Sequence, residues 1–371
     1  MMTKRTLLKA SALFGFGTAL PALALAGDLK SASASGFKMP LESDPHERTF
    51  MQWPNQLSIY EDEDFLHDVQ DRIAKIANAI AKFEPVVLLV GAEHEDDAKA
   101  SISPDVETWA IETQDLWCRD SGPAFVTNGK GGIAISELNF NGWGEKQDVR
   151  DDRQIARRVA AKLGLDVFDS GAFGEGGGVE TDGAGTLMAH ESCWVNPNRN
   201  QGTRDEIEKM LLESLGAEKM IWAPGVKGAD ITDYHIDALA RFVRPGQVLI
   251  QLPAKIIAND PWSKSAYETY EILKKATDAN GNKMDIVVIN EPDATKIRSQ
   301  EPDFVSSYVN YFVCNGGVIS AEFGDDKADE AAAKILSQLY PGREVVSLDV
   351  DPIGEAGGGI HCSMQQQPKI V

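Results

Sequence analysis

The sequence predicts an α/β fold in which a single domain is built from repeated units. Five segments carry apolar residues at the three- or four-residue spacing of an amphipathic helix, and a short β-rich apolar run follows each of them. These helix–strand pairs recur at intervals of roughly 60 to 70 residues, which is typical of a fold with internal repeats. No proline- and glycine-rich linker divides the chain after its N-terminal region, so one domain accounts for all five units.

The first helix–strand pair shows the pattern most clearly. One face of its helix is apolar and consists of Phe65, Val69, Ile73, Ile76 and Ile80. Pro85 cannot continue this helix, because proline lacks the backbone N–H that a helix interior needs. The apolar residues 86–90 then predict a strand that is buried on both faces.

The other four pairs follow in the same order along the chain. Their helices are predicted around residues 153–163, 204–215, 263–279 and 328–339. The strands that follow them are predicted near residues 167, 220–222, 286–289 and 345–346. Further strands are predicted at residues 132–138, 248–252 and 318–320. Helices and strands therefore alternate through the middle of the chain, as the α/β class requires.

The N-terminus resembles an export signal. Lys4 and Arg5 precede an apolar run over residues 7–26, which ends in the small-x-small sequence Ala24-Leu25-Ala26. Glycines and a proline interrupt this run, which favours a cleaved signal peptide over a transmembrane helix. Residues 1–26 are therefore predicted to direct the chain to the periplasm or the exterior, with membrane contact only during export. Lys4-Arg5 also resembles a twin-arginine signal in which lysine replaces the first arginine.

Residues 27–38, where serine alternates with alanine and glycine, are predicted to be a flexible leader, and residues 39–371 a single domain. The formal net charge of −21 disfavours nucleic acid and anionic membrane surfaces as partners. The same charge is compatible with a small cationic substrate. The sequence leaves the oligomeric state open, with a homodimer among the alternatives.

The four cysteines lie far apart in the chain, at Cys118, Cys193, Cys314 and Cys362. Because they form no CxxC pair and no Cys/His spacing of a metal site, we predict neither a disulfide framework nor a bound metal. Only Cys362 follows three consecutive glycines, Gly357 to Gly359, whose backbone allows another group to approach closely. Taken alone, this motif is more often a turn that carries a buried cysteine.

Three segments upstream combine acidic side chains with turn-forming residues. Trp117 and Asp120 precede a Gly-Pro turn, Glu175 precedes three glycines, and three acids surround His235 at Asp230, Asp233 and Asp237. If the last segment is a strand, His235 and Asp237 share one face, because side chains alternate along a strand. On a strand, His361 would face away from Cys362 for the same reason. Each acidic segment alone is more often a solvated loop or a surface ion pair.

Together, these segments form a coherent chemical set. Carboxylates from separate segments can hold a planar cation, and a guanidinium pairs with them in the bidentate geometry that carboxylates favour. A cysteine can attack the carbon of that cation, and a histidine can move protons to the leaving nitrogen and from water. The sequence therefore predicts covalent chemistry on a guanidinium group.

Several motifs run through nearly the whole chain in an order known from one family. They occupy residues 39–40, 52–54, 117–123, 139–144, 175–177, 196–200, 235–237, 307–310 and 357–368. In this set the chain resembles the agmatine deiminases of the guanidine-modifying superfamily, which also includes arginine deiminases, peptidyl-arginine deiminases and amidinotransferases. The resemblance implies the pentein fold, a five-bladed pseudo-symmetric α/β propeller of ββαβ units.

The resemblance also implies a role for each site residue. Cys362 is the expected nucleophile and His235 the general acid and base, with Asp120 and Asp237 on the guanidinium nitrogens. Residues expected to contact the substrate are Glu175, Trp117, Asp230, Asp233 and Gly359. The implied reaction hydrolyses agmatine to N-carbamoylputrescine and ammonia through a covalent amidino-thioether, a step of putrescine biosynthesis, and needs no metal or organic cofactor.

One segment departs from the family pattern. The family sequence before the histidine is Asp-Thr-Asn-Gly-His, whereas this chain has Ile231-Thr232-Asp233-Tyr234-His235. The acid thought to help hold agmatine is thus replaced by Ile231, and Asp230 and Asp233 are its displaced substitutes. Another guanidino compound or a C-terminal peptidyl arginine is therefore an alternative substrate. An amidinotransferase or a guanidine-binding protein is the alternative function.

Overall fold

The computed structural model describes residues 31–60, 62–169 and 171–370. The predicted signal peptide, residues 1–26, lies outside this part of the chain. The strands are β1 (His46–Gln52), β2 (Val86–Val90), β3 (Val106–Ala110), β4 (Ala124–Thr127), β5 (Ile133–Glu137), β6 (Val167–Asp169), β7 (Val179–Thr181), β8 (Thr186–His190), β9 (Lys219–Ala223), β10 (Ala240–Arg244), β11 (Gln247–Leu252), β12 (Asp285–Asn290), β13 (Phe312–Val313), β14 (Gly317–Glu322), β15 (Glu344–Asp349) and β16 (Met364–Pro368). The helices are α1 (Leu57–Tyr60), α2 (Glu63–Ile80), α3 (Glu95–Ser101), α4 (Cys118–Ser121), α5 (Gly142–Glu145), α6 (Ile155–Leu163), α7 (Glu191–Trp194), α8 (Arg204–Leu215), α9 (Pro261–Leu273), α10 (Asp326–Leu339) and α11 (Asp351–Glu355).

The strands of the described residues form five small sheets on one plan. Four sheets have three strands each, in the orders β4-β5-β6, β7-β8-β9, β10-β11-β12 and β13-β14-β15. In each, the middle strand pairs antiparallel with the strand before it and parallel with the strand after it. The fifth sheet has the order β16-β1-β2-β3 and keeps the same pairing between its first three strands.

In each blade, the middle strand is connected to its parallel neighbour through one long helix, because parallel neighbours need a crossover; the additional parallel pair β2–β3 is connected through the shorter helix α3. The connecting helices are α2, α6, α8, α9 and α10. Five ββαβ units result, which we call blades, and the predicted five-bladed α/β propeller is confirmed. The predicted order of five helices, each followed by a strand, is confirmed as well.

The fifth blade joins the two ends of the described chain. Strand β16, close to the C-terminus, pairs antiparallel with β1, and Phe50 lies opposite Gln365 in this register. Strand β1 then pairs in parallel with β2, with Phe50 opposite Val87. The blade therefore takes its first strand from one end of the chain and its second from the other.

The apolar faces of the connecting helices form the core between the blades. Helix α2 buries Val69, Ile73 and Ile76 completely. It packs on β1 and β2 of its own blade and on β14 of the neighbouring blade. Each such side chain contributes about 1.5–3 kcal/mol when it is fully buried.

The prediction of a flexible leader is wrong for its described part, residues 31–38. Ser33–Ser35 form a 3₁₀ turn, and Ala32 is completely buried. The ring of Phe37 packs edge-on against Phe168, with 5.2 Å between ring centroids. Lys38 forms a β-bridge with Thr127. The alternation of small residues suggested flexibility and gave no indication of these apolar contacts. The domain therefore begins before residue 39.

The helix predicted over 263–279 ends early, at Leu273. Asp278 accepts a hydrogen bond from the backbone N–H of Asn282, and Gly281 adopts a positive φ of 84°. An aspartate side chain that bonds to nearby backbone competes with helix, so these residues form a turn instead.

None of the helices in the described part of the chain is long and apolar enough to span a membrane. All four cysteines are free thiols and are buried.

Candidate active site

The four predicted catalytic residues and the predicted substrate-binding residue Glu175 occupy one structural position in different blades, shortly before the first strand. They are Asp120 before β4, Glu175 before β7, His235 and Asp237 before β10, and Cys362 before β16. The first strands meet at the centre of the molecule, where Arg241 of β10 forms an ion pair with Glu180 of β7 at 2.9 Å. Equivalent positions of several blades therefore converge there.

The structure brings these five predicted residues together. The Sγ atom of Cys362 lies 3.6 Å from Oδ2 of Asp237. His235 faces two carboxylates, with Nδ1 3.6 Å from Oδ1 of Asp120 and Nε2 3.1 Å from Oε2 of Glu175. All five are buried. His235 and Asp237 reach the same site because Ile236–Ala238 form a 3₁₀ turn. This segment is therefore not the strand that was considered from the sequence.

Gly177 lies at the centre of this group. A Cβ atom at Gly177 would lie 2.8 Å from Nδ1 of His235 and 3.0 Å from both Oδ1 of Asp120 and Oδ2 of Asp237. The backbone N–H of Gly177 also donates to Oδ1 of Asp120 at 3.2 Å. Because real Cβ contacts are not this short, only glycine keeps the space between the three side chains free.

Asp237 borders this space through its Oδ2 atom. Its Oδ1 is buried and has no hydrogen-bond partner within the described chain, while Oδ2 bonds to His361 at 2.7 Å. A buried carboxylate oxygen without a donor is costly, so a ligand with N–H donors would be strongly favoured here.

A strained tryptophan binds the second carboxylate. Trp143 donates from Nε1 to Oδ2 of Asp120 at 2.9 Å. Its backbone has a positive φ of 56°, which is unfavourable for a bulky side chain and is typical of functional sites. Asp233 and Tyr234, directly before His235, also have positive φ values, of 59° and 69°. Strained backbone thus flanks the site on two sides.

Burial raises the pKa of Asp120 to about 6, with Glu175 and Asp237 adding to the effect against the opposing charge of His235. Burial alone would lower the pKa of His235, but Asp120, Glu175 and Asp237 overcome it and raise that pKa to about 9. The imidazole is therefore charged at neutral pH and can act as an acid. Burial, Asp237 and Asp120 raise the pKa of Cys362 well above its ordinary value, so a bound cation is needed to favour the thiolate.

Asp120→Asn is expected to stabilise the fold while it removes a predicted guanidinium ligand. The folded protein holds this proton between its ordinary pKa of 3.8 and about 6, where the unfolded chain has lost it. Stability therefore falls as the pH rises through this window, by about 3 kcal/mol at pH 7. The neutral amide should recover this amount less about 1 kcal/mol, because its NH2 group cannot accept the hydrogen bond from Trp143 or from the Gly177 N–H. Thermal melting at pH 7 measures the effect. Glu42→Gln is the control with the opposite sign, because Arg241, His361 and Arg119 outweigh burial and lower the pKa of Glu42. A lower melting temperature for Asp120→Asn would contradict the assignment.

Behind His235, a chain of alternating charges extends toward the surface. Glu175 binds Nε of Arg199 at 2.9 Å, and Nη1 of Arg199 binds Asp233 at 2.8 Å. Lys146 binds the same Asp233 oxygen at 2.7 Å. The prediction that Asp233 offers its charge to substrate is therefore wrong, because two cations of the protein already neutralise it. Asp230 uses Oδ1 to accept bonds from Thr232 and from the backbone of Tyr234.

His361 lies in the site, contrary to the expectation that it faces away from Cys362. Residues His361–Ser363 form a 3₁₀ turn and not a strand, so the alternation of side chains does not apply. Nδ1 of His361 contacts Oδ2 of Asp237 at 2.7 Å, and Nε2 contacts Oε2 of Glu42 at 2.8 Å. The ring of His361 therefore bridges two carboxylates, those of Asp237 and Glu42. It holds Asp237 through the same oxygen that lies 3.6 Å from the sulfur of Cys362.

The remaining predicted residues pack around the nucleophile. The ring of Trp117 lies against Gly358, where a Cβ would come within 2.4 Å of the indole. At Gly359, a Cβ would lie 2.5 Å from Oδ1 of Asn310. The missing side chain of Gly359, predicted to serve the substrate, therefore makes room for Asn310.

Four residues of the site were not given a role from the sequence: Trp143, Arg199, Asn310 and His361. Three of them lie in the motifs that carry the family resemblance outside the cysteine segment, and His361 adjoins the cysteine. Their positions in these motifs could have marked them as site residues. Their roles could not be predicted, because their partners lie far away in sequence.

The comparisons with known proteins agree with this geometry. Residues 38–368 match the family described as Porphyromonas-type peptidyl-arginine deiminase. The agmatine deiminase of Stutzerimonas stutzeri is 35% identical over 357 residues, which cover 90% of this chain and 96% of that protein. The agmatine deiminase of Ectopseudomonas mendocina is 34% identical over 360 residues, with the same two coverages. A solved structure of Enterococcus faecalis agmatine deiminase aligns with a TM-score of 0.85 at 27% identity, over 92% of this chain and 98% of that one.

Proposed function

The chain belongs to the Porphyromonas-type peptidyl-arginine deiminase family, and on this basis we propose that it hydrolyses agmatine to N-carbamoylputrescine and ammonia. The observation that carries the proposal is the convergence of the Cys362 thiol, the charged imidazole of His235 and the carboxylates of Asp120 and Asp237 around the bare backbone of Gly177. A flat cation with several N–H donors can bond to these carboxylates, and its central carbon is then within reach of the sulfur.

In the first half of the reaction, the thiolate of Cys362 attacks the guanidinium carbon and a C–S bond forms. The charge of the substrate is neutralised in the resulting tetrahedral adduct. His235 gives its proton to one nitrogen, the C–N bond breaks, and ammonia leaves. The product on the enzyme is a cationic amidino-thioether, and His235 is neutral.

In the second half, water replaces ammonia. Neutral His235 takes a proton from this water, and the hydroxide adds to the carbon of the thioether. The C–S bond then breaks, Cys362 leaves as a thiolate, and the ureido product loses one proton. The sum is one guanidinium and one water converted into one urea group and one ammonium ion, with the enzyme returned to its initial state.

The far end of the substrate is assigned from the loop before His235. Lys146 donates to the backbone carbonyls of Asp230 and Ile231, at 3.4 and 2.9 Å, and to Asp233 at 2.7 Å. An ammonium group has three N–H donors, so Lys146 has none left for the carboxylate of a peptidyl arginine. We therefore favour agmatine, whose far end is itself a cation, over free or peptidyl arginine.

A substrate panel tests this proposal directly. Agmatine, free arginine, a peptide with C-terminal arginine and methylguanidine are incubated with the enzyme, and both ammonia and ureido product are measured. We expect agmatine to have the highest kcat/KM, by about tenfold or more, because an uncompensated buried charge costs more than 1.4 kcal/mol. Faster turnover of the peptide would identify a peptidyl-arginine deiminase. Transfer of the amidino group to an added amine, without a ureido compound, would identify an amidinotransferase. Binding without turnover would identify a guanidine-binding protein.

Residues 1–26 are proposed to export the enzyme, and the support is the signal-like sequence around Lys4 and Arg5. N-terminal sequencing of the protein from a periplasmic fraction is expected to begin at Gly27. A protein that stays in the cytoplasm with Met1 or Met2 at its start would contradict export.

A further inference from the structure

The blade that contains β13 has its own residue at the position that carries the chemistry in the other four. This residue is Asn310, which lies just before β13 and is 2% exposed. By the arrangement of the propeller, Asn310 belongs to the same ring of positions as Asp120, Glu175 and Cys362. A buried side-chain amide at such a position needs hydrogen-bond partners.

The side chain of Asn310 contacts the nucleophile directly. Nδ2 lies 3.2 Å from Sγ of Cys362 and 3.4 Å from the backbone oxygen of Asp237. Oδ1 accepts a hydrogen bond from the backbone N–H of Cys362 at 3.3 Å. The backbone oxygen of Asn310 also accepts from the N–H of His361 at 3.1 Å. Asn310 therefore holds the turn that presents the sulfur.

These backbone partners fix the orientation of the amide. A carbonyl can only accept and a backbone N–H can only donate, so Nδ2 must face Asp237 and Oδ1 must face Cys362 N–H. One of the two Nδ2 hydrogens serves the Asp237 carbonyl, and the other is available to the sulfur. The protonated thiol can in turn donate to Oδ1, which lies 3.5 Å from Sγ. The same amide can therefore donate to the thiolate through Nδ2 or accept from the thiol through Oδ1.

The glycine-rich turn reserves the space for this contact. A Cβ on Gly359 would lie 2.5 Å from Oδ1 and 2.9 Å from Cγ of Asn310. Any side chain at Gly359 would therefore push the amide away from the sulfur.

We propose that Asn310 is a further catalytic residue, which donates a hydrogen bond to the thiolate of Cys362 both when the sulfur attacks and when it leaves. The charged groups nearest to the sulfur are the carboxylates of Asp237 and Asp120, which both disfavour a second negative charge. His235 contacts Asp120 and Glu175, and His361 contacts Asp237. A neutral N–H donor stabilises the thiolate, and it does not compete with the carboxylates for the substrate cation. No proton moves to or from Asn310 in either half of the reaction. The expected effects on kcat and KM rest on the proposed function, because they are measured with agmatine.

The test compares Asn310→Asp and Asn310→Ala with the wild type. The rate of alkylation of Cys362 by iodoacetamide is measured from pH 6 to pH 10 by peptide mass spectrometry, and kcat and KM are measured with agmatine. We expect the pH of half-maximal alkylation to rise by about one unit, as loss of a hydrogen bond to a charged group predicts. We expect kcat to fall on the order of 10²-fold, with KM nearly unchanged, as for loss of one donor to a developing anion.

Asn200→Asp is the matched control. Asn200 is also buried and also bonds to backbone on both sides, donating to Phe173 and Trp194 and accepting from Phe173. Its replacement should lower thermal stability but leave the alkylation midpoint at the wild-type pH. If the Asn310 variants do not fold, Gly359→Ala tests the same contact by displacing an intact amide, and its midpoint should also rise.

An unchanged alkylation midpoint in the folded variants would overturn the proposal. A loss of kcat no greater than that of Asn200→Asp would overturn it as well. Alkylation needs no substrate, so it distinguishes this inference from the proposed function. If the wild type fails to release ammonia from agmatine, the function is wrong, and the midpoint still decides the role of Asn310.

Discussion

Cys362→Ala is expected to abolish the release of ammonia from agmatine, with a loss of kcat on the order of 10⁴-fold or more. The sulfur lies beside Asp237 in the convergent site, where the substrate carbon is proposed to bind. Without it, no covalent intermediate forms, and water would have to attack a guanidinium that is stabilised by resonance. Ammonia release measured over several hours, at enzyme concentrations high enough to reveal slow turnover, gives the residual rate.

Cys314→Ser is the control for this variant. Cys314 is also a buried free thiol, and it donates to the backbone oxygen of Gly317 at 3.3 Å, a bond that a serine hydroxyl can replace. It should therefore retain activity. Turnover by Cys362→Ala above the background without enzyme would show that another group is the nucleophile. Loss of activity in both variants would indicate a general effect on folding.

Gly177→Ala is expected to reduce kcat/KM by at least about 10²-fold, because a misplacement of about 1 Å at the reacting centre has that effect. The added methyl group would lie within 3.0 Å of the functional atoms of His235, Asp120 and Asp237. These side chains are held by other bonds and cannot all withdraw. The methyl group therefore occupies the space of the guanidinium, and both agmatine binding and turnover should decrease.

Gly164→Ala is the control that separates the loss of activity in Gly177→Ala from a general loss of stability. Gly164 ends helix α6 with a positive φ of 67°, and nothing lies near its missing side chain. Alanine there should cost about 1–2 kcal/mol of unfolding free energy and leave kcat/KM unchanged. Gly177→Ala should lose a similar amount of stability, because the methyl group overpacks a buried site, but it should also lose most of its activity. An active Gly177→Ala enzyme would exclude this space as the guanidinium site.

The sequence was sufficient to predict the helices and the middle and last strands of most blades. These elements are long or apolar, like α2 and β2, so periodicity identifies them. The first strands were not predicted, because they are short and because three of them, β7, β10 and β16, carry polar residues at buried positions. Strand β16 reads Met-Gln-Gln-Gln-Pro and is nevertheless buried throughout. Its polar side chains face the charged centre of the propeller, for example at Gln365, which accepts a bond from Arg119.

The site was predicted in its acids, histidine and cysteine but not in their supporting residues. Asp120, His235, Asp237 and Cys362 stand in motifs that match the agmatine deiminase family, and their residue types together suit chemistry on a guanidinium. Asn310 and His361 act through partners that only the fold brings near, such as Glu42, which is 319 positions away from His361. The role given to Asp233 failed for the same reason, since Arg199 and Lys146 reach it from other blades.

The pairing of β16 with β1 has a consequence for biosynthesis. Until β16 has been synthesised, the edge of β1 that pairs with it has no partner, and exposed strand edges promote association between chains. Cys362, the proposed nucleophile, lies two residues before β16. A chain that stops before Cys362 therefore lacks both the strand that closes the fifth blade and the proposed nucleophile, so closure of the ring and completion of the site depend on one segment.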